Sequence, residues 1–302
     1  MAPVGIIIVT YNSAEEIGAC LDALAGKDAD VVVVDNASFD NTVHEVQARG
    51  VRLLANPENR GFAAAANQGF AVLNNPYLLL LNPDAVVITT FAPLIAACDL
   101  AGSAGAGGRL IDANGRTQAG FMARQLPTAA VLAMEALLLN KLWPTNPVNR
   151  RYRLLDRDYS VQFPVEQPAG AFLMVRREVW EQLRGLDETY HPLWFEDVDF
   201  CKRIQLRGLQ LYYVPQAVAK HTGGHSLPRL GVEKRRFYWY RSLLRYSFKY
   251  FHRPAFAAVC LAVLAGCFLR CVGEITAQRS FKAAAGYGRV MRFAGRSFFN
   301  GF

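Results

Sequence analysis

Over its first hundred residues the chain alternates short β-branched and aliphatic runs with stretches of helical patterning. The apolar runs cover residues 4–9, 31–34, 51–54 and 77–81, and segments such as 14–25 and 62–73 separate them. Short runs without polar alternation read as strands buried on both faces, and helices between them return the chain in parallel. The expectation is an α/β fold, a mostly parallel sheet flanked by helices. In such sheets ligands bind beyond the carboxyl ends of the strands. That rule singles out the residues directly after three of the runs: Thr10-Tyr11-Asn12, Asp35-Asn36-Ala37-Ser38 and Asn82-Pro83-Asp84-Ala85.

At 302 residues the chain is about twice the usual domain length, enough for one large domain or one with a helical appendage. A hydrophobic content of 52% with 19% charged residues excludes disordered and collagen-like architectures. The six cysteines form no C-x-x-C pair and have no matching histidine pair, so reduced thiols are expected. The opening MAPVGIIIVTYN lacks a basic n-region, and its apolar stretch is short for a signal peptide, so a cytoplasmic location is expected. The GSAGAGG run at 102–108 precedes a predicted strand and does not fit G-x-G-x-x-G, so it reads as loop or helix-end glycines. A hairpin is expected at Asn114-Gly115, and residues 121–164 read as a helical insertion. Beyond it come a glycine-marked strand (167–176), a short helix (177–183), a loop entering a helix (194–207), a last strand (211–214) and a Gly-hinged loop (220–226).

Three places carry chemistry. Asp84 follows the LLLL run and an Asn-Pro pair, so it should stand at a strand end facing the crevice, where a carboxylate suits a hard cation. The same residue also serves as an ordinary turn former. Glu196-Asp197-Val198-Asp199 sets three acids at a helix start beside Trp194, Phe195 and Phe200. The helix dipole and an Asp199/Arg203 i,i+4 pair account for part of this, and general-base chemistry is the alternative. His221 and His225 flank two glycines in HTGGHS, a loop from which one histidine could serve as a ligand or neither.

In order and spacing, the chain resembles glycosyltransferase family 2, inverting enzymes of the GT-A fold that use nucleotide sugars. The likeness covers residues 4–226. Its carriers are VTYN (9–12), VVDNAS (33–38), NRGFAAAANQG (59–69), LLLNPDA (79–85), AGAFLMVRREVW (169–180) and GLDETYHPLWFEDVDFCKR (185–203). Within the family it is most similar to bacterial rhamnosyltransferases acting on lipid-linked glycans. The resemblance implies that Thr10, Tyr11, Asn12, Asp35, Asn36, Arg60, Gly61, Asn82 and Gly170 line the nucleotide-sugar site. It implies Asp197 as catalytic base with Glu196 beside it, and Asp84 with His221 as ligands of a divalent cation, Mg2+ or Mn2+. One position departs from the pattern: Asn82 stands where the first acid of the Asp-x-Asp motif would be, which removes a negative charge. The implied partners are a dTDP- or UDP-sugar donor, dTDP-rhamnose first among them, and a polyprenyl-linked glycan acceptor. UDP-hexoses or UDP-GlcNAc are the alternative donors.

Charge divides the chain. Residues 1–228 hold 19 Lys and Arg against 23 Asp and Glu, whereas residues 229–302 hold 14 against 2. The boundary predicts a catalytic domain over 1–228 and a basic, aromatic helical tail over 229–302. A nucleotide- or nucleic-acid-binding protein would use such a tail on phosphates, but no helix-turn-helix or zinc pattern accompanies it, so no nucleic acid is expected. In 233–253, Arg241, Arg245, Lys249 and Arg253 recur at four-residue steps beside an apolar face of Phe237, Tyr240, Leu244, Phe248 and Phe251. That is the pattern of a helix lying on an anionic membrane surface. The following apolar run, 255–269, is short for a span, so insertion from one side or packing on the domain is expected of it. The sequence thus predicts a peripheral protein on the cytoplasmic face of the inner membrane.

Overall fold

The computed structural model describes residues 3–223, 231–278 and 282–302. The strands are β1 (Val4–Thr10), β2 (Ala29–Asp35), β3 (Arg52–Ala55), β4 (Tyr77–Leu81), β5 (Ala85–Val87), β6 (Ser103–Ile111), β7 (Ala123–Arg124), β8 (Phe163–Val165), β9 (Gln167–Pro168), β10 (Phe172–Arg176) and β11 (Gln210–His221). The helices are α1 (Ile17–Asp22), α2 (Thr42–Gln47), α3 (Phe62–Phe70), α4 (Ala92–Cys98), α5 (Ala129–Ala136), α6 (Leu139–Leu142), α7 (Pro147–Tyr152), α8 (Arg177–Gln182), α9 (Glu196–Leu206), α10 (Val232–Tyr250), α11 (Arg253–Gln278) and α12 (Lys282–Asn300). Two compact units emerge. One comprises Met1–Leu126, Arg153–Pro192 and Glu196–Ser226; the other comprises Pro127–Tyr152, Leu193–Phe195 and Leu227–Phe302.

The first unit is built on a sheet of order β3-β2-β1-β4-β10-β6-β11-β5, with β8 also on β11. β3, β2, β1 and β4 run parallel, as the βαβ pattern predicts, and β10 inserts antiparallel between β4 and β6. The sheet is therefore mixed. All seven residues of β1 are buried, and its Ile6, Ile7 and Ile8 are fully inaccessible. Burying an aliphatic side chain of this size contributes ~1.5–3 kcal/mol, so this strand anchors the core. The alanines of α3 let that helix approach closely. A Cβ on its Gly69 would stand 2.5 Å from Ile7 Cδ1 and 2.9 Å from Val34 Cγ2.

Two elements differ from the sequence reading. Of the 102–108 glycines only Gly102 lies in a turn, with φ 75°, whereas Gly105, Gly107 and Gly108 lie inside β6. A Cβ there would meet the Met174 carbonyl oxygen at 2.3 Å, Pro168 Cβ at 2.4 Å and a Phe172 ring carbon at 2.2 Å, so glycine is required by the neighbours and not by a turn. The last strand also runs well past residue 214, with irregular register against β6 between Val214 and Val218, and ends on His221. His221 is thus a strand residue paired with Ala85 of β5.

In the second unit, α5 packs on α11, and α12 packs on α10 and α11. Of the 121–164 segment expected to be helical, three short helices, α5, α6 and α7, form within 129–152, while β7 and the start of β8 lie at its ends; the tail is helical as expected. Phe237, Tyr240 and Leu244 on α10, however, are buried within the protein, while Phe248 is exposed. The α10 face assigned to a membrane by its pattern is largely a packing face. The apolar run 255–269 belongs to a longer helix, α11, of 26 residues. All six cysteines are free and buried.

Candidate active site

The residues singled out in the first unit gather along the carboxyl ends of β1, β2 and β4. Register makes this so: Thr10 pairs with Asp35, and Ile8 with Leu81, so the segments after the three strands share one edge.

At the β1/β2 end, Asp35 is almost fully buried and is held by three donors. Thr10 Oγ1 donates to Oδ1 at 2.8 Å, Ser38 Oγ to Oδ1 at 2.5 Å and the Ser38 amide to Oδ2 at 2.9 Å. Asn12 closes the loop, its amide donating to Ser38 Oγ at 2.7 Å and its Oδ1 accepting from the Phe39 amide at 2.9 Å. Asn12 and Ala37 have φ of 54° and 64°, left-handed values that are uncommon outside glycine. Asn12 Nδ2 is a buried donor with no partner among the described residues, a group that a bound ligand could satisfy. Tyr11 meets exposed Phe39 edge-on, ring centroids 6.3 Å apart.

Asn36 ties this loop to the next. Its Nδ2 donates to the Gly61 carbonyl at 3.1 Å, and its Oδ1 accepts from Asn56 Nδ2 at 3.2 Å and from the Arg60 amide at 3.4 Å. Gly61 has φ 84°, and a Cβ there would lie 2.7 Å from His191 Nδ1, so the close approach and the left-handed backbone both demand glycine. His191 Nδ1–H donates to the Arg60 carbonyl at 3.2 Å. The Arg60 guanidinium itself is exposed.

Beyond β4, the Asn82 amide donates to the Ala171 carbonyl at 3.1 Å, which brings the Gly170 turn against the Asn82-Pro83-Asp84 segment. The Gly170 amide in turn donates to Asp197 Oδ2 at 3.3 Å, and a Cβ on Gly170 would stand 3.2 Å from Asp197 Cβ. Asp197 is half-buried at the start of α9, its Oδ1 also accepting from the Val198 amide at 2.8 Å. Glu196 differs: it is 7% exposed, and its Oε2 has no hydrogen-bond partner among the described residues. Burial pushes the Glu196 carboxyl well above the usual carboxylate range, and the charge of Asp197 adds to the shift. Asp199 is structural. Arg203 Nε donates to it at 2.7 Å while also gripping the carbonyls of Leu183 and Gly185. Just before α9, Trp194 and Phe195 have φ of 74° and 70°, conformations that bulky residues rarely adopt and that cluster at functional sites.

Asp84 faces His221 across 3.5 Å, Oδ1 to Nε2, with both side chains at most one-tenth exposed. The Gly223 amide donates to Asp84 Oδ2 at 2.9 Å. His221 is held from behind by Gln118, whose Nε2–H donates to the His221 carbonyl at 2.7 Å. That carbonyl can only accept, which fixes the amide orientation and leaves Gln118 Oε1 to accept from His221 Nδ1–H at 3.1 Å. Phe121 stacks on the imidazole, ring centroids 5.3 Å apart. Burial holds His221 below the ordinary imidazole pKa, although Asp84 pulls the other way. The neutral ring therefore presents an Nε2 lone pair to the Asp84 oxygen. With ligand bonds of about 2.0–2.2 Å, two donors on one ion stand roughly 3.0–3.4 Å apart, so this 3.5 Å pair needs to close only slightly to share a cation. No group of three or more His, Cys, Asp or Glu side chains converges among the described residues. His225 lies outside the described residues.

Sequence reasoning did not find Gln118, His191 or the role of Ser38. Gln118 has no local motif; it reaches His221 because β6 and β11 pair Ile111 with Lys220 and the hairpin after β6 returns alongside.

Residues 5–183 match the family described as Glycosyl transferase family 2. The chain belongs to that family. Residues 150–225 of this glycosyltransferase also match the family described as N-terminal domain of galactosyltransferase. Among curated relatives, the N-acetylglucosaminyl-diphospho-decaprenol L-rhamnosyltransferase of Mycobacterium tuberculosis (strain ATCC 25618 / H37Rv) is 31% identical over 246 residues, covering 74% of this chain and 77% of the relative. Rhamnosyltransferase WbbL of Escherichia coli (strain K12) is 33% identical over 89 residues, 30% of this chain and 31% of the relative. Among solved structures, mannosyltransferase PcManGT from Pyrobaculum calidifontis, in complex with GDP-Man and Mn2+, aligns with TM-score 0.56 at 17% identity, over 99% of this chain and 87% of that one. S. aureus TarS 1-349 aligns with TM-score 0.51 at 17% identity, over 99% and 92%. These likenesses show the GT-A fold that the resemblance predicted.

Proposed function

We propose that this family 2 glycosyltransferase is an inverting, cation-dependent rhamnosyltransferase that takes L-rhamnose from dTDP-rhamnose and adds it to a polyprenyl-diphosphate-linked glycan in cell-surface polysaccharide synthesis. The geometric observation that carries the cation-dependent chemistry is the 3.5 Å Asp84/His221 pair. The choice of sugar and acceptor is supported by the similarity to the mycobacterial enzyme, whose name specifies rhamnosyl transfer to a decaprenol-linked acceptor.

In this reading Asp35, locked by Thr10 and Ser38, receives the nucleoside, with Tyr11 and the free Asn12 Nδ2 beside it. Asn36, through its bonds to the 60–61 backbone, holds Arg60 and Gly61 for the donor, and Asn82 and Gly170 border the sugar. The acceptor hydroxyl attacks the anomeric carbon as Asp197 removes its proton. The carbon–oxygen bond to the diphosphate breaks on the opposite face, giving inverted product and nucleoside diphosphate. Asp84 and His221 would hold the Mg2+ or Mn2+, whose chemistry there would be to neutralise charge on the departing diphosphate. Mannosyltransferase PcManGT, to which the fold is similar, was solved with GDP-Man and Mn2+ together. An acceptor of this class is presented at a membrane, which fits a peripheral enzyme on the cytoplasmic face of the inner membrane.

The test is turnover against a panel of dTDP-, UDP- and GDP-sugars with a lipid-linked GlcNAc acceptor, with and without chelator. Transfer from dTDP-rhamnose, silenced by EDTA and restored by Mn2+ or Mg2+, is the expected result. Loss of activity and of Mn2+ binding in Asp84→Ala and His221→Ala should accompany it. Preference for a UDP-hexose would support the alternative donor class, and full activity in excess EDTA would overturn cation dependence.

A further inference from the structure

α11 has two different faces. One is buried: Val259, Cys260, Val263 and Cys267 are inaccessible, and α5 and α12 pack on the helix. The contact with α5 is tight. A Cβ on Gly266 would stand 2.0 Å from the Ala136 carbonyl oxygen, and Arg270 Nη1 donates to that same oxygen at 2.6 Å. The other face is exposed and equally apolar. Leu261, Phe268, Leu269 and Val272 are 53%, 59%, 60% and 45% exposed, and Ala258 and Ala265 lie on the same stripe. Steps of three or four place these residues on one side of the helix over roughly 21 Å at 1.5 Å per residue.

Between Arg253 and Arg270 the helix carries no charged or strongly polar side chain. A solvated helix face normally carries them, and a contiguous apolar stripe marks an interaction surface. Two features identify the occupant. The unit is cationic: Arg253 is exposed at the start of the helix, Lys249 at the end of α10 and Arg289, Arg292 and Arg296 on α12, and residues 229–302 hold 14 Lys and Arg against 2 Asp and Glu. A second copy of this unit would bring the same excess of positive charge to the contact, whereas an anionic leaflet complements it.

We propose that the outer face of α11, centred on Leu261, Phe268 and Leu269, is the surface by which this protein docks into an anionic lipid leaflet, lying in the plane of the interface. By length and composition the helix could cross a bilayer, but 44% of its apolar stretch is buried inside the protein. Its inner side is committed to α5 and α12, so one face enters the lipid and the other does not. This places the contact on α11, for which the sequence left one-sided insertion and packing on the domain both open, and not on the 233–253 stripe. The inference is independent of which sugar is transferred.

The experiment uses the full chain and vesicles of phosphatidylcholine with or without phosphatidylglycerol. Co-sedimentation should occur with the anionic vesicles and weaken with salt. The double variant Phe268→Asp/Leu269→Asp should lower vesicle affinity by roughly tenfold or more, while Phe248→Ser, on the exposed part of α10, should change it little. Leu261→Ser is a milder variant should the double one misfold. A nitroxide on Ala265→Cys, selective because all six native thiols are buried, should report shielding from aqueous relaxation agents on vesicles. Asp197→Asn should bind vesicles as the wild type does, which separates docking from catalysis. Equal binding by wild type and α11 variants, or binding by none, would overturn the proposal. So would concentration-dependent dimerisation without vesicle binding, abolished by the same variants.

Discussion

Gln118 holds His221 at two points, donating Nε2–H to its carbonyl at 2.7 Å and accepting its Nδ1–H at 3.1 Å. One amide side chain thus sets the orientation of the ring and the tautomer, and it turns the bare Nε2 toward Asp84. Outer contacts of this kind commonly matter as much to a metal site as the ligands do.

Gln118→Leu keeps the bulk and removes both bonds. Mn2+ affinity in the presence of a nucleoside diphosphate, followed by electron paramagnetic resonance, should fall by about 10–100-fold. Gln118→Glu restores an acceptor for Nδ1–H and should recover part of that loss. Histidine 15N shifts should show the fixed tautomer in the wild type and a mixture in the leucine variant. An unchanged Mn2+ affinity in Gln118→Leu would remove the positioning role.

Asp197→Asn should leave thermal stability and nucleotide affinity near wild type, because an asparagine oxygen can still accept from the Gly170 amide. Loss of general-base help should lower kcat by about 10²–10⁴-fold. Turnover and nucleotide titration on the same preparation separate the two effects, and near-normal kcat would move the base to another group.

Glu196 makes a prediction about stability instead. Its carboxyl is raised by burial, so the folded protein holds a proton there that the unfolded chain releases near the ordinary carboxylate pKa. The proton-linked stability is fully present below that unfolded value and is lost as pH rises toward the folded one, at up to about 1.4 kcal/mol per pH unit. Glu196→Gln cannot ionise, so its melting temperature should fall less steeply than that of the wild type on going from acid to neutral pH. Parallel curves would mean that Glu196 does not retain its proton in the fold.

Gly105→Ala places a methyl group 2.3 Å from the Met174 carbonyl oxygen, where β6 pairs with β10. Urea unfolding should show a loss of about 1–3 kcal/mol or more. The same change at Gly115, where a Cβ meets nothing within 4 Å, tests only the left-handed turn and should cost less.

The glycines also show where the sequence stops being readable. β1 and β4 were plain because their apolar runs carry the strand signal locally. Asp84 and Asp197 were plain because each ends or begins an element beside a turn or a cap. β6 was not, because its glycines answer to Met174, Pro168 and Phe172, more than fifty positions away. Likewise nothing near Gln118 announces that it will stand beside His221, 103 residues further on. The acids at 196–199 look alike in sequence, and only tertiary packing separates a buried Glu196, a half-buried Asp197 and an Asp199 bound by Arg203.

α5 packs on a helix that the ribosome makes much later, since the bond from Arg270 to Ala136 spans 134 residues. At about 5–20 residues per second, Val131, Leu132 and Ala136 would wait roughly 7–27 s for α11 to arrive. During synthesis those side chains are therefore sticky, and shortening the chain at residue 228 would leave them so permanently. Chaperone engagement at this stage, and poor yield of any chain lacking its last seventy or so residues, are the consequences of that order of assembly.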